Sequence, residues 1–224
     1  LPITLHAGEA DAAERVIEAG RLGARRIGHG VRLADALGDP ARVSLVEQVR
    51  EMGLHLELCP TSNVHTGAAT SVAAHPITAL WRGGVRRFDC ASIGEVRLVR
   101  SLFPDAAIHF MHPVKSRGAI RSAWQQHGVR DFVLDTDGEL TKILQETGGG
   151  DDLGLVVRLA LPKGNAAYDL SGKFGAAPAD AAALLRAARP HAARLGLSFH
   201  VGSQCLDPAA WTRALALTAE VIAA

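Results

Sequence analysis

At 224 residues, 48% of them hydrophobic, the chain can bury a sizeable core and is too apolar for a disordered segment. Its 24 basic and 23 acidic residues leave a net charge of +1, which gives no footprint for nucleic acid or an anionic membrane. No apolar run reaches the length of a membrane span and no leader peptide is visible, so a cytoplasmic protein is expected; the first residue is Leu1 rather than Met, as at a fragment edge.

Short apolar runs alternate with helical patterns along the chain, the signature of βα units on a parallel sheet. Strands are expected at Ile3–Leu5, Arg26–Ile27, Leu54–Leu58, Val85–Phe88, Ile108–Met111, Asp131–Leu134, Gly154–Leu161 and Leu197–Phe199. Helical patterns follow, among them Ala10–Ala19, Pro40–Met52, Gly94–Phe103, Ser116–His127, Gly138–Glu146, Ala179–Arg194 and the Ala/Leu-rich Pro208–Ala224. Gly148–Gly150 is expected to end a helix and turn into a buried strand, and Lys163–Gly175 to form the one long loop. Eight such units argue for an α/β fold of the (β/α)8 TIM barrel kind, residues 1–224 forming a single domain, with an open doubly wound sheet as the alternative. Cys59, Cys90 and Cys205 are odd in number and widely spaced, which argues against a disulfide framework and for reduced, buried thiols.

Four motifs fall at strand-to-helix turns in residues 1–86: HAGE at His6–Glu9, RIGHG at Arg26–Gly30, LELCPTSN at Leu56–Asn63, and HP at His75–Pro76. In this order and spacing the stretch resembles the C-terminal part of the adenosine deaminase barrel. The resemblance implies that His6 ligates zinc, that Glu9 handles protons at the purine ring, and that His29 helps activate a zinc-bound water. It also implies ligands that this sequence lacks. No HxH motif is present, and where an Asp pair should follow Val85 the chain runs Arg86-Arg87-Phe88-Asp89-Cys90. One histidine cannot hold a catalytic zinc, which takes about three protein ligands.

From residue 87 the motifs change. Phe88–Ser92 (FDCAS) with Glu95, HPVKS at His112–Ser116, FVLDTDGEL at Phe132–Leu140, VVRLAL at Val156–Leu161, LSGKFG at Leu170–Gly175 and SFHVGSQC at Ser198–Cys205 run to the C-terminus. This stretch resembles the barrel domain of pyridoxal-phosphate ornithine/lysine decarboxylases, of the alanine-racemase-like fold. The resemblance implies that His200 stacks on the pyridoxal ring and Ser203 contacts its phosphate, with Arg158, Asp89 and Glu95 lining the cofactor. Asp89 and Glu95 could equally cap the helix beginning near Gly94. The family's Schiff-base lysine belongs in a strand before FDCAS, and no such motif precedes Phe88; Lys115 and Lys173 sit in other family motifs.

Three βα units of the first kind and five of the second add to the eight that close a barrel. The expectation is therefore a chimeric barrel scaffold, designed or recombinational, with both parental sites incomplete and no native catalysis. A zinc-dependent aminohydrolase, a pyridoxal-phosphate decarboxylase-like lyase and a non-enzymatic binding module are the alternatives. Zinc and pyridoxal phosphate are the cofactors the motifs admit, and a small anion or phosphate at the barrel rim is the expected ligand. If the barrel closes, His6, His29 and His200 stand on neighbouring strand tips ~4.8 Å apart and converge on one metal ion. Composition sets no oligomeric state.

Overall fold

The computed structural model describes residues 3–162, 172–202 and 207–224. The chain divides into two compact units, Leu1–His109 and Phe110–Ala224.

In the first unit, strands β1 (Ile3–Ala7), β2 (Ala24–His29) and β3 (His55–Glu57) pair in parallel in chain order. The register sets His6 opposite Gly28, Ala7 opposite His29 and Gly28 opposite Glu57. Helices α1 (Glu14–Arg21), α2 (Leu33–Leu37) and α3 (Val43–Glu51) connect these strands. Then come α4 (Pro60–His65), α5 (Ile77–Arg82), strand β4 (Arg87–Cys90) and α6 (Ile93–Leu102). α1 buries Val16 and Ile17 with Gly20 one turn on, so one apolar stripe faces the sheet while Arg15 and Glu18 face solvent. Behind β4, the rings of Trp81, Phe88 and Phe103 stack with centroids 4.5–6.2 Å apart. Strand β5 (Ala107–Phe110) ends at the boundary between the units.

The second unit holds α7 (Arg117–His127), β6 (Asp131–Leu134), α8 (Asp137–Thr147), β7 (Gly154–Arg158), α9 (Pro178–Ala188), β8 (Arg194–Ser198) and α10 (Pro208–Ala223). β6, β7 and β8 are parallel neighbours in chain order, with Val133 opposite Val156 and Val156 opposite Gly196. Phe132, Val133, Leu134, Leu155 and Val157 are all buried, the near-continuous apolar run of strands covered on both faces. Helix ends follow sequence chemistry. Ser116 and Thr136 accept the N–H groups of Ala119 and Glu139, capping α7 and α8, and both helices stop at a left-handed glycine, Gly128 (φ 63°) and Gly148 (φ 72°).

The eight strands stand where the apolar runs place them, with shifted ends. The expected α/β fold with parallel strands is present, but among the described residues the pairing gives a three-stranded and a five-stranded sheet, not the closed ring of the expected (β/α)8 barrel. The ladder fails first between β3 and β4, which meet through one isolated bridge, Leu58 to Phe88. β3 is cut to three residues because Pro60 opens α4 immediately after Cys59, and a proline has no N–H to extend a ladder. Residues 163–171 of the expected long loop lie outside the described residues. Beyond them, Ala176 pairs back onto Leu159 just past β7.

Candidate functional sites

The first unit gathers its polar side chains at the C-terminal ends of β1 and β2 and the start of α4. His6 is the penultimate residue of β1, and its ring lies so close over Gly28 that a Cβ there would come within 2.4–2.9 Å of it. His29 ends β2 with φ 72°, the one described non-glycine residue in the left-handed region, a conformation the surroundings must impose. The two imidazoles meet edge-to-face at 5.0 Å.

Asn63, fully buried, organises the cluster. Its amide nitrogen donates to Glu9 Oε1 at 3.0 Å and to His29 Nδ1 at 2.9 Å, while its oxygen accepts from His75 Nε2 at 3.1 Å. This orientation makes Nδ1 of His29 an acceptor and puts the proton of its neutral ring on Nε2, which faces Glu9 Oε2 at 3.4 Å. Thr66 adds a 2.7 Å hydrogen bond to Glu9 Oε1. His75 is buried, its Nδ1 has no hydrogen-bond partner, and burial lowers its pKa to about 4, so it is neutral at pH 7. The sequence-predicted pair Glu9 and His29 is thus brought together with His6, whereas Asn63 and Thr66 were missed as partners. Their only signal was a polar run after a proline at a strand-to-helix turn.

Zinc is not supported: among the described residues no group of three or more His, Cys, Asp or Glu side chains is arranged to hold a metal ion, the expected set of His6, His29 and His200 included. Glu9 and the Nδ1 of His29 face protein donors instead of a common point in space.

Asp89 and Glu95 lie in the same unit. Glu95 completes a reciprocal cap on α6: its N–H donates to Ser92 Oγ at 3.2 Å, and its carboxylate accepts the Ala91 N–H at 2.7 Å. The carbonyl of Asp89 accepts the Cys59 thiol at 3.5 Å. Burial, aided by Asp89 and Glu95, pushes the thiols of Cys59 and Cys90 well up, and both are free and unreactive at neutral pH. Cys205 lies outside the described residues.

In the second unit, Arg158 ends β7 opposite Ser198, the last residue of β8, and His200 follows two residues on. These two predicted residues therefore stand at the C-terminal ends of adjacent parallel strands, ~4.8 Å apart in the sheet. The Gly202 N–H donates to His200 Nδ1 at 2.9 Å, which fixes the ring and leaves Nε2 to carry the proton of the neutral form. Phe174 lies 5.9 Å from the Arg158 guanidinium carbon and 5.0 Å edge-to-face from His112. Ser203 lies outside the described residues. An imidazole held by its own turn, two residues past the end of β8, and a guanidinium at the end of the adjacent β7 are the kinds of group that meet a planar anionic heteroaromatic such as pyridoxal phosphate.

Nearby, Lys115 is enclosed. Its ammonium donates to the carbonyls of His112 (2.8 Å) and Val133 (2.6 Å) and pairs with Glu139 at 3.0 Å. Burial pulls its pKa down to about 8 against the opposing pull of Glu139. Lys142 closes on the other carboxylate oxygen of Glu139 at 2.6 Å. Both amines are engaged with Glu139.

Residues 43–224 match the family model described as pyridoxal-dependent decarboxylase, pyridoxal binding domain. A lysine/ornithine decarboxylase of Selenomonas ruminantium is 33% identical over 194 residues, 82% of this chain and 46% of that protein. An adenosine deaminase of Clostridium botulinum is 42% identical over 85 residues, 38% of this chain and 24% of that protein. The solved lysine decarboxylase from Selenomonas ruminantium superposes with a TM-score of 0.56 at 22% identity, over 97% of this chain and 46% of that one, a likeness of fold. The chain spans less than half the length of the curated decarboxylases it matches.

Proposed function

This chain belongs to the pyridoxal-dependent decarboxylases, through their pyridoxal binding domain, and from that premise we propose that its second unit holds pyridoxal phosphate for decarboxylase-like lyase chemistry on a basic amino acid. The reading replaces the expected inert scaffold, because the family match begins at residue 43, well before the change of motifs near Phe88. The deaminase likeness covers 38% of the chain, and no described metal cluster supports an aminohydrolase.

The observation that carries the proposal is the placement of Arg158 and His200 at the ends of neighbouring strands, with the imidazole fixed by the Gly202 N–H. Bound pyridoxal phosphate supplies an electron sink for the pair left behind when a carboxylate departs. His200 offers a flat face for the ring, and its Nε2 proton is directed away from the turn. Arg158 offers a fixed cation to oxygen or nitrogen acceptors on the ring. Phe174, against Arg158 and His112, keeps water from one side of the guanidinium. Lys115 and Lys142 are engaged with Glu139, so neither is offered here as a covalent anchor for the cofactor.

Titration with pyridoxal phosphate, followed by its absorption band, tests the reading. Saturable binding is expected, and Arg158→Gln and His200→Ala should each weaken it by about tenfold, the loss of one charge-assisted or stacking contact. Borohydride treatment should leave no adduct on the Lys115 peptide. Affinity unchanged from the parent chain in both variants would reject the site.

A further inference from the structure

The first unit contains a second candidate site at the opposite end of its sheet from Glu9 and His29. A cavity of about 280 Å³ opens at the N-terminal ends of β3 and β4. Its wall is aliphatic, formed by Leu37 of α2, Val46 and Val49 of α3, Leu54 before β3 and Leu80 of α5. The turn Gly83–Gly84 presses in from α5. A Cβ on Gly83 would meet Leu37 at 3.0 Å, and Gly84 has φ +107° with Arg50 directly against it, so the turn closes the wall only because both residues are glycine.

The rim has one sign of charge. Arg50, Arg86 and Arg87 border the cavity, His55 joins them, and no acidic residue lines it. Two of the guanidinium groups are held in place. Arg50 donates through Nε and Nη2 to the Gly83 carbonyl at 2.9 and 2.6 Å. Arg86 donates to the Trp81 carbonyl at 2.6 Å and lies 4.4 Å from the centre of the Trp81 ring. Among the described residues no carboxylate pairs with Arg50, Arg86 or Arg87, in contrast to Arg26, whose partner is Glu57. His55 registers the resulting field: its pKa is lowered by burial and then by Arg87 and Arg26.

An aliphatic void of this size is a poor place for water, which needs two or more polar partners; an apolar cavity of ~150 Å³ already takes benzene. A void open to three unpaired cations instead suits a molecule with an apolar body and one anionic end. We propose that this cavity binds a small amphiphilic carboxylate, its tail among Leu37, Val46, Val49 and Leu80 and its carboxylate among Arg50, Arg86 and Arg87. The site shares no residue with Arg158 or His200 and does not depend on the cofactor reading.

Calorimetric titration of the intact chain with octanoate tests it, with octan-1-ol as the uncharged control. Saturable one-to-one binding of octanoate is expected, with octan-1-ol about tenfold weaker, the difference one charge-assisted contact makes. Arg87→Gln, an exposed change that leaves the core intact, should weaken octanoate several-fold and flatten its dependence on salt. Val49→Trp should fill the void and abolish octanoate binding while leaving pyridoxal phosphate binding unchanged. The proposal is overturned if octanoate does not saturate, if octan-1-ol binds as tightly, or if Arg87→Gln leaves the affinity and its salt dependence unchanged. Octanoate binding that survives in a folded Val49→Trp chain overturns it too.

Discussion

Asn63 turns each end of its amide to a different neighbour, and the protonation of His75 follows from that. His75 donates Nε2–H to the Asn63 oxygen and has nothing to receive a second proton at Nδ1, so charging it means burying an unpaired cation. Its pKa of about 4 lies below the ordinary 6.5. Between those values the unfolded chain binds more protons than the folded one, so stability rises with pH across that window and falls as the solution is acidified. Urea unfolding at pH 4.5 should show a loss of about 2 kcal/mol relative to pH 7 from this group alone. In His75→Phe the acid limb should flatten, whatever the variant's stability at pH 7. An unchanged limb would mean that His75 is charged in the folded state. At this scale sequence is an uneven guide. His6, Glu9 and His29 were singled out by motifs at strand ends, and the structure brings the three side chains together. Asn63 was not, because its meaning depends on Glu9, His29 and His75, between 12 and 54 residues away.

Elements were legible in proportion to their length. Apolar runs located all eight strands, and α7 and α8 followed their caps to within a residue or two. Helices α2 and α4 escaped notice, because five and six residues make less than two turns and show no periodicity. The join between elements that sequence could least foresee is Lys115, which leaves the loop after β5, hydrogen-bonds the Val133 carbonyl in β6 and pairs with Glu139 in α8. Lys115→Met leaves Glu139 with Lys142 alone and the His112 and Val133 carbonyls without their donor, and should cost about 1–3 kcal/mol in urea unfolding. Replacing both partners, Lys115→Met with Glu139→Leu, should recover a large part of that loss, less what Lys142 gives up. Equal losses in the single and double variants would show that the carbonyl contacts of Lys115, rather than its ion pair, hold these elements together.

At the scale of the whole chain, counting βα units pointed to a ring, and counting alone does not test closure. A barrel closes only where each strand has enough residues to continue the ladder, and β3, stopped by Pro60, leaves one bridge to β4. The two compact units part between His109 and Phe110. Function therefore belongs to units, and the cofactor reading makes a prediction that separates them. A ligand held only by the folded second unit stabilises it by RT ln(1 + [L]/Kd), about 2.7 kcal/mol at a hundredfold excess over Kd. With pyridoxal phosphate added, amide hydrogen exchange should slow in Gly154–Arg158 and Arg194–Ser198, the strands whose ends carry Arg158 and His200. Slowing that falls instead on Ile3–Ala7 and Ala24–His29 would place the ligand beside Glu9 and His29 and remove the assignment to Arg158 and His200.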